Sequence, residues 1–356
     1  MTRSRLRGVA ALLTVALVAS TACGSSGDAS SGERAVGSSA STATTGDPAA
    51  QAPLDELRIH HPETLAFAAP FSLIADDGPL SKVADDIVDN TWSTPDELRG
   101  LLTSGRSDVT AVPTYVGANL ANKGVDVKMA AVTVWGLLYV IGPDGVAQDW
   151  DALRGQTVMM PFPNDMPDLV FRTAAAANGL VPGKDFEIEN YATPQEAVMR
   201  LVTGKGKWAV LPEHVATVAL AKAGEQGHDL QRVLNLQDEW AEISGGSERI
   251  PQAGIVVSAE IAARPDVLAA LFDELESTVA TVNAADAATV AELADTFDLP
   301  ESVVAAVIPR LNLDVVPAAE ARDELETFFE ALAENNPDII GGKLPPAGFY
   351  LADPRS

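Results

Sequence analysis

Residues 57–113 and 156–212 align without a gap at an offset of 99 positions. Pro62 falls on Pro161, Asp86 on Asp185, Trp92 on Tyr191, Gly105 on Gly204 and Pro113 on Pro212. Thr94-Pro95-Asp96-Glu97 falls on Thr193-Pro194-Gln195-Glu196. Nine of the 57 pairs are identical, which is barely above chance, so the weight rests on where they fall. They are mostly strand ends, helix caps and turns. Two similar α/β units in tandem build two lobes, and small ligands bind in the crevice between lobes.

In the first copy Leu57–His61 is a short strand stopped by Pro62, followed by an Ala-rich helical stretch over Leu65–Ala75. Asp86–Trp92 is a second strand. Thr94 as N-cap, Pro95 at the first helical position and Glu97 at the third open a helix that ends near Gly105. Asp108–Val112 is the third strand, and Val125–Val134 and Leu137–Ile141 are further apolar β runs. The second copy repeats the order: strand Thr157–Met160, helix Asp168–Asn178, strand Phe186–Tyr191, a helix opened by Thr193-Pro194, and strands Trp208–Leu211 and Leu230–Leu236. Alternating strands and helices predict parallel sheets. After one more strand, Ala253–Val257, the chain reads as helices over Pro265–Ala284, Ala287–Phe297, Pro300–Leu311 and Ala318–Glu334. The simplest topology returns the chain to the first lobe there. The lobes are then joined by two crossings, near Ile141–Val146 and Ile250–Ala253, which is hinge geometry. The expected division is 54–141 plus 252–356 for one lobe and 142–251 for the other.

The N-terminus reads differently. Arg3, Arg5 and Arg7 precede an apolar run, Val9–Ala19, too short to span a bilayer but suited to a signal peptide over 1–22. Ser20-Thr21-Ala22-Cys23 resembles the bacterial lipoprotein signal, with Ser20 where that pattern has Leu. Cys23, the single cysteine of the chain, is then the lipidated residue. Stable anchoring needs more than one acyl chain, which such a cysteine carries. Residues 23–53 are Ser, Gly, Ala and Thr with scattered charges, a flexible tether of about 30 Å r.m.s.. The net charge of -26 argues against nucleic acid, because a phosphate backbone demands clustered Lys and Arg. With no cysteine left in the folded body, a thiol nucleophile is excluded. Neither a Gly-x-Ser-x-Gly elbow nor a phosphate loop is present. His60 and His61 are adjacent on a strand, point to opposite faces and cannot chelate one metal ion.

In parallel α/β sheets ligands bind beyond the carboxyl ends of the strands. The repeat supplies those ends in matched pairs: 62–64, 92–94 and 113–115 in the first lobe, 161–166, 191–193 and 212–214 in the second. Trp135-Gly136 breaks two β runs and belongs near the hinge, and Gln252 precedes the return strand. These ends carry Glu63, Asp165, Asp168 and Glu213 with no Arg or Lys, which suits a neutral or cationic ligand, such as a nitrogen heterocycle stacked on Trp92 or Trp135.

The order and spacing of these stretches resemble the substrate-binding proteins of ABC importers, whose members include nitrate, sulfonate, taurine and thiamine-precursor binders. The matching stretches are Leu57–Phe71, TPDELRGLLTSGRSDVTAVP at 94–113, LRGQTVMMPFPNDMPDLVFR at 153–172, TPQEAVMRLVTGKGKWAVLPE at 193–213 and PQAG at 251–254. The resemblance implies an α/β, two-lobed periplasmic-binding-protein type II fold with two hinge crossings and a helical C-terminal extension. It implies ligand contacts from Thr64, Phe67, Trp92, Thr114, Tyr115, Trp135, Asn164, Asp165, Met166, Glu213 and Gln252. It further implies a monomer on the outer face of the cell membrane, an ABC permease as partner, no catalytic residue, no metal and no cofactor. Two other readings remain: an enzyme on the same fold, of the dehydratase or pyrimidine-synthase kind, and an envelope sensor or scaffold without a small ligand.

Overall fold

The local chemistry of the strand ends and caps sets the elements in place. In a computed structural model, which describes residues 51–245 and 249–356, the chain runs through eleven strands and twelve α-helices. The signal peptide, Cys23 and nearly all of the tether lie outside the described residues. The first copy comprises β1 (Leu57–Pro62), α1 (Leu65–Ser72), β2 (Ile87–Trp92), α2 (Pro95–Thr103), β3 (Val109–Pro113) and α3 (Thr114–Asn122). The strands β4 (Val127–Trp135) and β5 (Leu138–Pro143) follow. The second copy comprises β6 (Thr157–Pro161), α4 (Met166–Ala177), β7 (Glu187–Tyr191), α5 (Pro194–Val202), β8 (Trp208–Pro212) and α6 (Glu213–Glu225). Then come β9 (Leu230–Asn235), α7 (Leu236–Ile243), β10 (Pro251–Ser258), α8 (Ala259–Ala262), α9 (Pro265–Ala284), α10 (Ala287–Thr296), α11 (Glu301–Val307), β11 (Leu313–Pro317) and α12 (Arg322–Asn335).

The two copies form separate sheets, ordered β11-β4-β10-β3-β1-β2 and β7-β6-β8-β5-β9. Their registers repeat at the 99-residue offset. Pro62 lies opposite Trp92 as Pro161 lies opposite Tyr191, and Ile59 opposite Val109 as Val158 opposite Trp208. The caps repeat less fully. Thr94 Oγ1 accepts the Glu97 N–H at 3.2 Å, and Glu97 Oε2 accepts the Ser93 N–H at 2.8 Å. In the second copy Glu196 likewise accepts the Ala192 N–H, at 3.0 Å, but the Thr193 side chain makes no cap bond.

Two expectations change. The parallel arrangement holds within β1, β2 and β3 and within β6, β7 and β8. The strands added to each set, β10 beside β3 and β5 beside β8, are antiparallel because they arrive from the other lobe. The first crossing falls at Gly136-Leu137 instead of 141–146, since Leu138–Ile141 already pair with β8 and β9 in the second sheet. The return occurs between α7 and β10, close to the expected place. One strand not expected, β11, lies in the gap between the helices read over Pro300–Leu311 and Ala318–Glu334; it pairs antiparallel with β4 at the sheet edge, with a register shift.

The C-terminal extension is helical as expected, but it touches both lobes. On the first, α9 packs against α1, and the buried Glu274 accepts the Ala75 and Leu80 N–H groups at 3.2 and 3.3 Å. On the second, α11 packs against α6 and α12 against α4, with Phe328 edge-on to Trp240 of α7 at 5.7 Å. No helix among the described residues is long and apolar enough to cross a membrane.

Candidate functional site

A cavity of about 570 Å³ opens between the lobes, within the size range of small-molecule sites. The first lobe supplies Trp92 from the end of β2, Tyr115 from the first turn of α3, and Arg99, Asn119 and Lys123 from α2, α3 and its end. The second lobe supplies Pro163, Asn164 and Asp165, and the extension supplies Asn336 and Asp338. The 162–165 turn is strained: Phe162 and Asn164 both have positive φ, 55° and 62°. Such backbone persists only where its surroundings hold it. Here Asp168, fully buried and paired with Arg172 at 2.6 Å, accepts the Asn164 N–H at 2.9 Å.

This turn delivers Asp165 to the opposite lobe. Asp165 Oδ1 accepts the Met166 N–H at 2.8 Å, capping α4, and accepts the Tyr115 hydroxyl at 2.5 Å. Burial, followed by the Asp165 charge, raises the Tyr115 pKa well above its ordinary value, so the phenol keeps its proton and donates. Asn336 Nδ2 donates to Asn164 O at 3.3 Å, a second tie across the seam. Trp92 donates its indole N–H to Ala111 O at 3.2 Å, which fixes the ring at the cavity wall. Three carboxylates, Asp96, Asp165 and Asp338, face two cations, Arg99 and Lys123, with Arg99 bonded to Asp96 at 3.1 Å.

No protein-family model matches the chain, and no curated protein does. Solved structures do. The crystal structure of an ABC transporter from Parabacteroides distasonis superposes with a TM-score of 0.71 at 20% identity, over 84% of this chain and 99% of that one. The periplasmic aliphatic sulphonate binding protein SsuA from Escherichia coli gives 0.59 at 15% identity, over 78% and 87%. The periplasmic nitrate-binding protein NrtA from Synechocystis PCC 6803 gives 0.57 at 16% identity, over 80% and 82%. The likeness is one of fold. The two-lobed α/β periplasmic-binding fold is therefore the fold of this chain.

Within that binding-protein fold the eleven expected contacts divide. Trp92, Tyr115, Asn164 and Asp165 meet in the interlobe cavity. Thr64 lines a separate cavity of about 420 Å³. Phe67, Thr114, Trp135, Met166, Glu213 and Gln252 line neither. Phe67 packs into the core beneath α1, and Met166 is buried at the start of α4. The crossings claim three others. Thr114 Oγ1 donates to Pro251 O at 2.5 Å, and Gln252 Oε1 accepts the Leu137 N–H at 3.0 Å. Trp135, 1% exposed, donates to Asp314 O at 3.0 Å beneath the Arg249 guanidinium, which stacks 3.8 Å from its ring. Glu213 is fully buried and bidentate to Arg232, at 2.5 and 2.8 Å, with the Thr217 hydroxyl donating to it at 2.6 Å. Its charge is spent inside the second lobe.

The cavity also carries cations that the strand ends lack. Arg99 and Lys123 sit within or just past helices, where reach into a crevice depends on helix rotation. Asn336 and Asp338 follow α12 and have no counterpart in the repeat. His60 and His61 take separate partners, Ser107 Oγ at 2.9 Å and Asp89 at 3.1 Å.

Proposed function

We propose that this chain is an extracytoplasmic solute-binding receptor of an ABC importer, holding a small organic molecule between closing lobes and presenting it to a permease. The observation that carries this reading is the interlobe cavity whose walls come from both lobes and are joined by Tyr115 and Asp165. Acids exceed bases by three to two there, and Trp92 and Tyr115 offer aromatic surface. This favours a neutral, dipolar or cationic ligand, such as a nitrogen heterocycle, over a simple anion. The lobe division, with its first crossing at Gly136-Leu137, the monomeric state and the Cys23 lipid anchor belong to the same proposal. For the anchor, Cys23→Ser is expected to move the chain from the membrane to the soluble fraction.

The enzyme reading would draw on His214 beside Glu213. The two do not form a dyad: Glu213 is bonded to Arg232, and His214 Nδ1 is buried without a partner. The scaffold reading predicts no cavity between the lobes, and one is present.

Calorimetry with a panel of sulfonates, amines and pyrimidines tests the proposal. One-to-one binding of an amine or pyrimidine is expected. Tight sulfonate binding without response to the bases would discard the ligand class.

A further inference from the structure

The second cavity, about 420 Å³, shares no residue with the first and differs from it in chemistry. Its wall is largely aliphatic and aromatic. Leu65, Phe297 and Leu299 come from the first lobe and the extension, and Val198, Val202 and Val218 from α5 and α6 of the second. Thr64, Gln195 and the oppositely charged Glu63 and Lys222 stand among them, and one imidazole, His214, breaks the apolar surface. A hollow of this size whose wall is mainly apolar, with a handful of polar groups, has the composition of a site for a compact apolar molecule.

His214 decides what polar group that molecule carries. Nδ1 is buried and makes no hydrogen bond, so the ring meets an occupant through Nε2. Burial lowers the His214 pKa to about 4, and the ring is neutral at physiological pH. One nitrogen then bears the proton. Leaving an N–H buried without an acceptor costs more than leaving a lone pair there, because orphaned buried donors are the rarer case. The proton is therefore assigned to Nε2, which faces an occupant as a donor. A partner with an acceptor and no charge satisfies it.

We infer that this second cavity is a binding site for a small, uncharged, apolar molecule bearing a carbonyl or ether oxygen, which His214 Nε2–H would hold. Because both lobes line the cavity, an occupant touches both, and it stabilises the arrangement in which they meet.

Acetophenone and ethylbenzene are the probes, matched in shape and differing in the carbonyl. Titrated calorimetrically into the full chain, acetophenone is expected to bind saturably at one site, at least tenfold more tightly than ethylbenzene. Val218→Trp, which fills the cavity from α6, is expected to abolish that binding. His214→Leu, which removes a buried orphan nitrogen and should fold, is expected to erase the preference for acetophenone. Hydrogen exchange at residues 135–138 is expected to slow when acetophenone is bound. Absence of saturable acetophenone binding to the unaltered chain overturns the inference. So does an undiminished preference in His214→Leu, or full binding by a Val218→Trp chain that keeps the normal melting transition.

Discussion

The Tyr115 hydroxyl of the first lobe donates to Asp165 Oδ1 of the second at 2.5 Å, and the same oxygen caps α4. One carboxylate thus both starts a helix and fastens the lobes. A hydrogen bond to a charged group contributes about 1.5–3 kcal/mol. In a double-mutant cycle with Tyr115→Phe and Asp165→Ala, which removes the acceptor, urea unfolding is expected to give a coupling energy of that size. Asp165→Ala is expected to cost about 1 kcal/mol more than Asp165→Asn, because the cap acceptor is also lost. A coupling near zero would mean that the bond does not hold the lobes.

Glu213 and Arg232 form an ion pair whose carboxylate is fully buried. Removing one partner leaves an uncompensated charge. Arg232→Met is expected to destabilise the chain by about 3–5 kcal/mol in denaturant titration, and Glu213→Leu with Arg232→Met by far less. Equal losses in the single and the double variant would contradict the assignment.

Gly136 marks the first crossing at φ 84°, and a Cβ there would lie 2.1 Å from Gln237 Oε1. Gly136→Ala is expected to lose about 1–2 kcal/mol from the backbone conformation alone. It also displaces Gln237 from its 3.3 Å bond with Asn312. Adding Gln237→Ala should relieve the clash and leave the backbone cost. Melting temperatures of the two variants separate these contributions.

His214 gives stability a pH dependence. Burial sets its pKa at about 4 in the fold, below the 6.5 of the free side chain. Between these values the unfolded chain takes up a proton that the folded chain refuses, so this contribution is lost as pH falls from 6.5 towards 4. The difference is worth at most about 3 kcal/mol. His214→Leu is expected to make the stability loss over that window shallower by up to this amount. An unchanged slope would show that the ring is solvated.

Local chemistry made much of this legible. Pro62, Pro161 and the Thr-Pro-x-Glu caps act within a few residues, so the strand ends were readable, and Trp92, Tyr115, Asn164 and Asp165 came with them. Sheet membership is not local. Both β4 and β5 read as apolar runs, and only pairing across the lobe shows that the chain changes sheets at Gly136. Glu213 read as a cleft acid because Arg232, its partner, lies beyond α6 on β9, 19 residues on. The short Leu313–Pro317 strand, between helices, had too few residues to announce itself.

Closure of the lobes over a solute shortens the distance between them, and that distance can be read directly. Lys82 and Lys184 are exposed, one on each lobe. With Cys23→Ser, spin labels at Lys82→Cys and Lys184→Cys report the separation by pulsed electron resonance. A single short distance is expected with the tightest-binding amine or pyrimidine present, and a shift to longer distances in Tyr115→Phe without that ligand. One unchanging distance in all these states would contradict closure.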